Sequence, residues 1–270
     1  MEDIIQLAAS VIRDADTIFI SAGAGIGVDS GLPDFRGDEG FWKAYPLLKE
    51  ENVSFMDLAD PFWFFDEPER AWGFYGHRFN LYRDTKPHEG FQLLKKWAES
   101  KKFPYFIFTS NVDGHFQKSG FSSKNIYECH GSINHLQCRD DCKKTIWLAE
   151  ELDLVIDQAK LRATSKLPRC ANCGAIARPN ILMFGDHDWN NGRSYEQSLR
   201  CKDWKSKYSS KRIAIIELGA GKAIPTVRDA SESISGTLIR INPRDSDGPI
   251  NTISIPLGSL EVLEAIDKVL

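Results

Sequence analysis

Long apolar runs are missing from this 270-residue sequence. The longest strongly apolar stretch, Phe103–Phe108, is far short of the ~18–20 residues that cross a bilayer. An excess of basic charge is missing too: 34 Lys and Arg stand against 38 Asp and Glu, a formal net charge of −4. No global field draws such a chain onto nucleic acid, so no direct nucleic-acid partner is expected. The opening Met1-Glu2-Asp3 lacks the basic region and apolar core of a secretory signal, and a cytoplasmic protein is expected. Cysteine is scarce. Six in the whole chain are too few for a disulfide scaffold, and four of them fall in two close pairs, which points to metal. What remains, 42% hydrophobic and 27% charged residues, is ordinary for a globular protein and excludes a disordered or collagen-like chain.

Apolar residues at Ile4, Ile5, Leu7, Ala8, Val11 and Ile12 recur at helical spacing and predict an amphipathic first helix. Thr17–Ile20 then reads as a buried strand running into Gly23-Ala24-Gly25. Two further runs share this form: Phe103–Thr109 before Ser110-Asn111-Val112-Asp113, and Arg212–Leu218 before Gly219-Ala220-Gly221. Thr237–Ile241 ends at Asn242, and Leu260–Val269 reads as a closing helix. Four apolar strands, each ending in a small or polar loop, predict a parallel sheet with a ligand at its C-terminal edge. Between them, residues 41–85 are rich in aromatics and predict a helical insertion. Residues 138–173 carry the cysteine pairs around a charged stretch expected to be helical. The fold class is therefore α/β, a Rossmann-like parallel sheet with helices on both faces, plus a smaller domain made of a helical insertion and a zinc-binding module.

The metal signal is the sharpest. Cys138-x3-Cys142 and Cys170-x2-Cys173 supply four thiolates from two short hooks, the donor set and spacing of a structural zinc site. Four sulfurs leave no open coordination position, so such an ion holds the module together and performs no chemistry. Cys129 and Cys201 read as ordinary buried thiols. The glycine signal is weaker by itself. Gly23 and Gly25 suit a backbone that approaches a diphosphate, with a following helix aiming its N–H groups at the anion, but they equally suit a tight turn. His130, before a glycine, is a side chain poised to take a proton near neutral pH, or a structural histidine. Asn111 and Asp113 either touch a ligand or cap a helix that starts near Gly114.

The stretch Gly23–Gly37, which includes Asp34, Phe35 and Arg36, closely resembles the cofactor loop of the sirtuins, the NAD-dependent protein deacylases. The resemblance recurs in order along residues 10–245, as in a divergent, bacterial-type member. Ser110-Asn111-Val112-Asp113 resembles the nicotinamide-pocket motif, usually Gln-Asn-x-Asp. Cys129-His130-Gly131 resembles the catalytic His-Gly. Phe184-Gly185-Asp186 is similar to the Phe-Gly-Glu stretch on which acyl-lysine peptides pair as a strand. Gly219-Ala220-Gly221 stands where the family has Gly-Thr-Ser, and Ile241-Asn242 matches its Ile-Asn.

The resemblance implies NAD as co-substrate, an acyl-lysine protein or peptide as partner, and nicotinamide, free lysine and O-acyl-ADP-ribose as products. It implies His130 as general base, Asp113 on the nicotinamide carboxamide, and Asn111 on the ribose or a water. Gly23, Ala24, Gly25 and Arg36 cradle the phosphates, and Asn242 takes the adenosine ribose. Tyr75 and Arg78, three apart on one helix face, match a Tyr-x-x-Arg that holds the carboxylate of succinyl- or malonyl-lysine. As an alternative, Tyr75 belongs to the aromatic core and Arg78 is solvated. Val28, where acid-tolerant members carry Ala, is expected to crowd that pocket, so acetyl and carboxylated acyl groups stand level. The implied division is residues 1–40, 86–132 and 181–270 as a discontinuous NAD-binding domain, 41–85 as the helical insertion and 133–180 as the zinc module.

Gly27, Ser110 and Ala220-Gly221 shorten side chains that the family pattern uses as hydrogen-bonding groups, and the glycine loop is one residue short. Weaker or altered NAD binding is the consequence to expect. Lys222 either restores charge near the phosphates or is simply exposed. The same pocket also suits an NAD glycohydrolase, a protein ADP-ribosyltransferase or a non-enzymatic NAD-responsive module. A dehydrogenase is the weakest option, because no recognisable catalytic groups follow the glycine fingerprint.

Overall fold

The computed structural model describes residues 2–33, 37–150 and 152–270. Six parallel strands form the main sheet, in spatial order Ile253–Ile255, Thr237–Ile241, Ile213–Leu218, Thr17–Ala22, Phe106–Thr109 and Ile126–Glu128. The first three strands in the chain run outward one way from Thr17–Ala22, and the last three run the other way. The order thus reverses between Thr17–Ala22 and Ile213–Leu218, whose ends align as Ala22 with Leu218. A crevice opens outside the strand ends at such a switch point.

Both central strands are buried at every position, which is why they read as continuous apolar runs rather than alternating ones. Side chains still alternate between faces. Ile18, Ile20, Ile107, Ile216 and Ile239 pack under helices Glu2–Asp14, Gly90–Glu99 and Ser259–Asp267 through Ile5, Ile12, Leu94, Trp97, Leu263 and Ile266. Phe19, Phe106, Phe108 and Ile215 turn the other way, onto Trp204 and Tyr208 of helix Gly192–Tyr208 and Val227 of Thr226–Glu232. The sheet has two strands more than the four expected. Ile126–Glu128 and Ile253–Ile255 are three residues each, too short to show a pattern.

A second body packs beside the strand ends. Residues 37–84 are helical, in five pieces that end with the long helix Pro68–Asp84. They share a core with an antiparallel sheet, ordered Ile146–Leu148, Gly131–Cys138, Ala177–Ile181. Trp72, Phe74 and Tyr75 meet Leu136, Ala177 and Ile181 there, and Trp72 Nε1 donates to the Ala177 carbonyl at 2.9 Å. The segment between the cysteine pairs differs from expectation. Its described residues form strands Ile146–Leu148, Ile156–Asp157 and Arg162–Ala163 with turns, and no helix. Hydrogen bonding across the sheet outweighs the helix-favouring charged composition of that stretch.

Candidate active site

Because the strands are parallel, their C-terminal ends deliver four loops to one place. The two glycine loops meet backbone to backbone: Gly23 N–H donates to the Leu218 carbonyl at 3.0 Å and Gly25 N–H to Gly219 at 3.1 Å. A Cβ on Gly219, whose φ is +61°, would sit 2.4 Å from the Ile26 nitrogen. The glycines therefore serve loop-on-loop contact first. The helix expected after them is a 3-10 segment, Ala24–Ser30. With two of the loop N–H groups spent on protein carbonyls, an anion receives fewer donors here than an α-helix N-terminus offers.

The neighbouring loop is tied to the first. Asn111 Nδ2 donates to the Gly23 carbonyl at 3.1 Å, while Thr109 Oγ1 donates to Ala22 and accepts from the Asn111 N–H. Asp113 Oδ1 accepts the His115 N–H at 2.8 Å at the start of helix His115–Lys118. Both residues are thus structural, and each keeps capacity for a ligand: Asn111 Oδ1 and Asp113 Oδ2 take no hydrogen bond from the described residues.

His130 follows strand Ile126–Glu128. Burial pushes its imidazole pKa below the usual value, opposed by a hydrogen bond with the Ser110 backbone. Gly131, with φ +82°, turns the chain into the second sheet, and a Cβ there would stand 2.0 Å from the Asn180 carbonyl oxygen. Only glycine fits that position.

A cavity of about 310 Å³ gathers these groups, a volume at the lower end for a small-molecule site. Its wall includes Ala24, Ser110, Asn111, Asp113, His130, Phe184, Tyr75 and Arg78. Tyr75, Arg78 and Tyr82 line it from one face of helix Pro68–Asp84, all three buried. Burial pushes the Tyr75 phenol pKa up. Arg78 Nε and Nη2 donate to the Tyr82 hydroxyl at 3.0 and 2.8 Å. The alternative of a solvated Arg78 does not hold. Val28, expected to crowd this pocket, is 44% exposed and absent from the wall. Tyr82 escaped the sequence reading, although its place one turn beyond Arg78 was the signal.

Other expected residues lie elsewhere. Gly23, Gly25, Gly185, Asp186, Gly219, Ala220, Gly221 and Asn242 are not on the cavity wall. Asn242 is 1% exposed; its Nδ2 donates to the Ala220 carbonyl and its Oδ1 accepts from the Arg244 and Asp245 N–H groups. It pins the Gly219–Gly221 loop. Lys222 pairs with Asp247 at 2.7 Å on the surface. Asp186 is consumed by a buried ion pair with Arg178. Phe184 N–H donates to Ala59, leaving the phenyl ring on the wall. Asp34, Phe35 and Arg36 lie outside the described residues.

The four cysteine sulfurs lie within 4.8 Å of one another. Cys138 and Cys173 are 3.6 Å apart, as are Cys142 and Cys170. A tetrahedral zinc with Zn–S of about 2.3 Å needs sulfurs about 3.8 Å apart. The set fits. Asn172 Nδ2 points to Cys142 Sγ at 3.2 Å, a hydrogen bond that orients the thiolate. Cys129 and Cys201 are buried, and burial pushes their thiols up to about 12 and about 11, so both are inert.

The cavity also fits a nicotinamide riboside portion by donor chemistry. Asn111, Asp113 and His130 bring an amide, a carboxylate and an imidazole to one wall, groups whose chemistry suits a carboxamide and ribose hydroxyls.

The profile of the Sir2 family matches residues 23–203. An NAD-dependent protein deacylase of Aquifex aeolicus is 33% identical over 165 residues, 61% of this chain and 59% of that one. A probable bifunctional ADP-ribose hydrolase/ADP-ribosyltransferase of Fusarium oxysporum f. sp. cubense is 28% identical over 266 residues, 94% of this chain and 42% of that one. The chain thus spans less than two thirds of the length of these relatives. Among solved structures, a Sir2 homolog in complex with NAD superposes with a TM-score of 0.70 over 97% of this chain and 92% of that one, at 23% identity.

Proposed function

The chain belongs to the Sir2 family, and on that footing we propose that it is an NAD-dependent protein lysine deacylase acting on carboxylated acyl groups such as succinyl and malonyl. The observation that carries this is one cavity wall: His130, Asn111 and Asp113 share it with the buried Tyr75 and Arg78. A guanidinium held beside phenol hydroxyls at a buried wall suits a carboxylate and gives a methyl group nothing.

Bound NAD would supply the electrophilic ribose carbon. The residues divide the remaining work. His130, its pKa lowered by burial, is neutral near pH 7 and accepts a proton from a ribose hydroxyl. Asp113 Oδ2 holds the carboxamide N–H, and Asn111 orients the ribose or a water. Phe184 and Val112 give the acyl-lysine stem an apolar passage that excludes water. Cys138, Cys142, Cys170 and Cys173 would hold a zinc ion, which would supply rigidity to their module and no chemistry. We further propose a cytoplasmic protein that acts on protein or peptide lysines and has no direct nucleic-acid partner.

The test is incubation with NAD and acetyl-, malonyl- and succinyl-lysine peptides, with mass spectrometry of the NAD product. O-acyl-ADP-ribose from the carboxylated peptides is expected, falling about 10²–10⁴-fold in His130→Ala. Arg78→Met is expected to cut desuccinylation far more than deacetylation. The similarity to the fungal relative over 94% of this chain supports a second reading, transfer of ADP-ribose to a protein side chain. Modified protein in place of O-acyl-ADP-ribose would establish it.

A further inference from the structure

We propose that Tyr82 is a specificity-determining residue of the acyl pocket, its hydroxyl proton donating to the distal carboxylate while its oxygen holds the Arg78 guanidinium. This rests on the deacylase reading above and adds a third group to Tyr75 and Arg78.

Tyr82 is 6% exposed and lies on the cavity wall. Its oxygen accepts from both Nε and Nη2 of Arg78, at 3.0 and 2.8 Å. A phenol oxygen that accepts twice has only its own proton left to give. No acceptor among the described residues receives it: Asp113, near enough to act on Tyr82 electrostatically, makes no hydrogen bond with it. Burial pushes the phenol pKa up, against the opposing charge of Arg78, so the proton stays on the oxygen. The Tyr75 hydroxyl likewise makes no hydrogen bond with a described residue and lines the same wall. On this wall the Tyr75 and Tyr82 phenol protons have no acceptor among the described residues, and an acetyl group offers none, because it carries no distal acceptor. A dicarboxylic acyl group supplies two acceptor oxygens. Leaving buried donors unpaired is costly, so the pocket discriminates against the shorter, neutral acyl group.

Tyr82→Phe removes the one oxygen and keeps the ring. Kinetics on succinyl- and acetyl-lysine peptides, with calorimetric binding of the succinyl peptide, read the effect. The expected result is a KM and Kd for the succinyl peptide raised about 10-fold or more, with a much smaller change in acetyl-lysine KM. Equal losses on both peptides show a merely structural role and overturn the inference, as does wild-type affinity for the succinyl peptide in Tyr82→Phe. The deacylase reading is judged separately. If the wild type binds the succinyl peptide more weakly than the acetyl peptide, the clamp is wrong. If it binds the succinyl peptide more tightly and turns over neither, only the activity is wrong, and the loss of binding in Tyr82→Phe still decides the role of Tyr82.

Discussion

Arg178 and Asp186 face each other as a bidentate ion pair, Nη1 to Oδ2 at 2.7 Å and Nη2 to Oδ1 at 2.8 Å, with side chains 1% and 0% exposed. Asp186 Oδ2 also accepts the Met183 N–H at 3.3 Å. The pair therefore locks the turn that holds Phe184 on the cavity wall. Asp186→Asn leaves a buried guanidinium without its counter-charge, and unfolding free energy should fall by about 3–5 kcal/mol. Urea midpoints measure it. Replacing both partners by apolar residues of similar volume should cost much less, because neither charge is then stranded.

Gly131 makes a second prediction. Gly131→Ala should be far more harmful than Gly31→Ala, although both glycines have left-handed backbone, φ +82° and +83°. At Gly31 an added Cβ meets nothing within 4 Å; at Gly131 it meets the Asn180 carbonyl oxygen at 2.0 Å. Gly31→Ala should cost about 1–2 kcal/mol, the left-handed penalty alone. Gly131→Ala must in addition push the strand Ala177–Ile181 away, which displaces His130 and lowers turnover. Thermal midpoints and turnover of the two variants check this.

Acid should destabilise the protein through its histidines. Burial pushes His77, His88, His115, His130 and His135 below the ordinary imidazole value, His135 to about 4. Their unfolded value is about 6.5, so the unfolded chain takes up protons first as pH falls. The stability these neutral rings contribute is present above about pH 6.5 and is lost as pH drops through the depressed values. Urea midpoints at intervals from pH 8 to 5 should fall monotonically toward acid. The acid limb of kcat/KM, set by His130, should lie below pH 6.5.

The cysteine quartet predicts one zinc per chain by atomic emission. Cys170→Ser should lose the ion and lower the thermal midpoint, since the two hooks Cys138–Cys142 and Cys170–Cys173 have no disulfide between them. Loss of zinc with an unchanged midpoint would show that the module stands without it.

Much of this was readable from short stretches of chain. Thr17–Ile20, Arg212–Leu218 and Thr237–Ile241 announced buried parallel strands because a strand covered on both faces must be apolar at every position. Cys138-x3-Cys142 and Cys170-x2-Cys173 announced a metal site because a chelating hook is local. The charged stretch between the hooks misled. Its residues lack a strand-like pattern, and only pairing with the distant Gly131–Cys138 makes Ile146–Leu148 extended.

The sequence by itself determined the four long buried strands with the loops that follow them and the two cysteine hooks, each of which depends on neighbours a few positions away. Tertiary structure alone decided how each polar group is used. Asn242 and Asp186 turned inward to protein partners, Val28 turned out to solvent, and Arg78, Tyr82 and His130 were brought to one cavity. A side chain's free hydrogen-bonding capacity is what its packed surroundings leave unsatisfied, and those surroundings come from segments far apart in the chain.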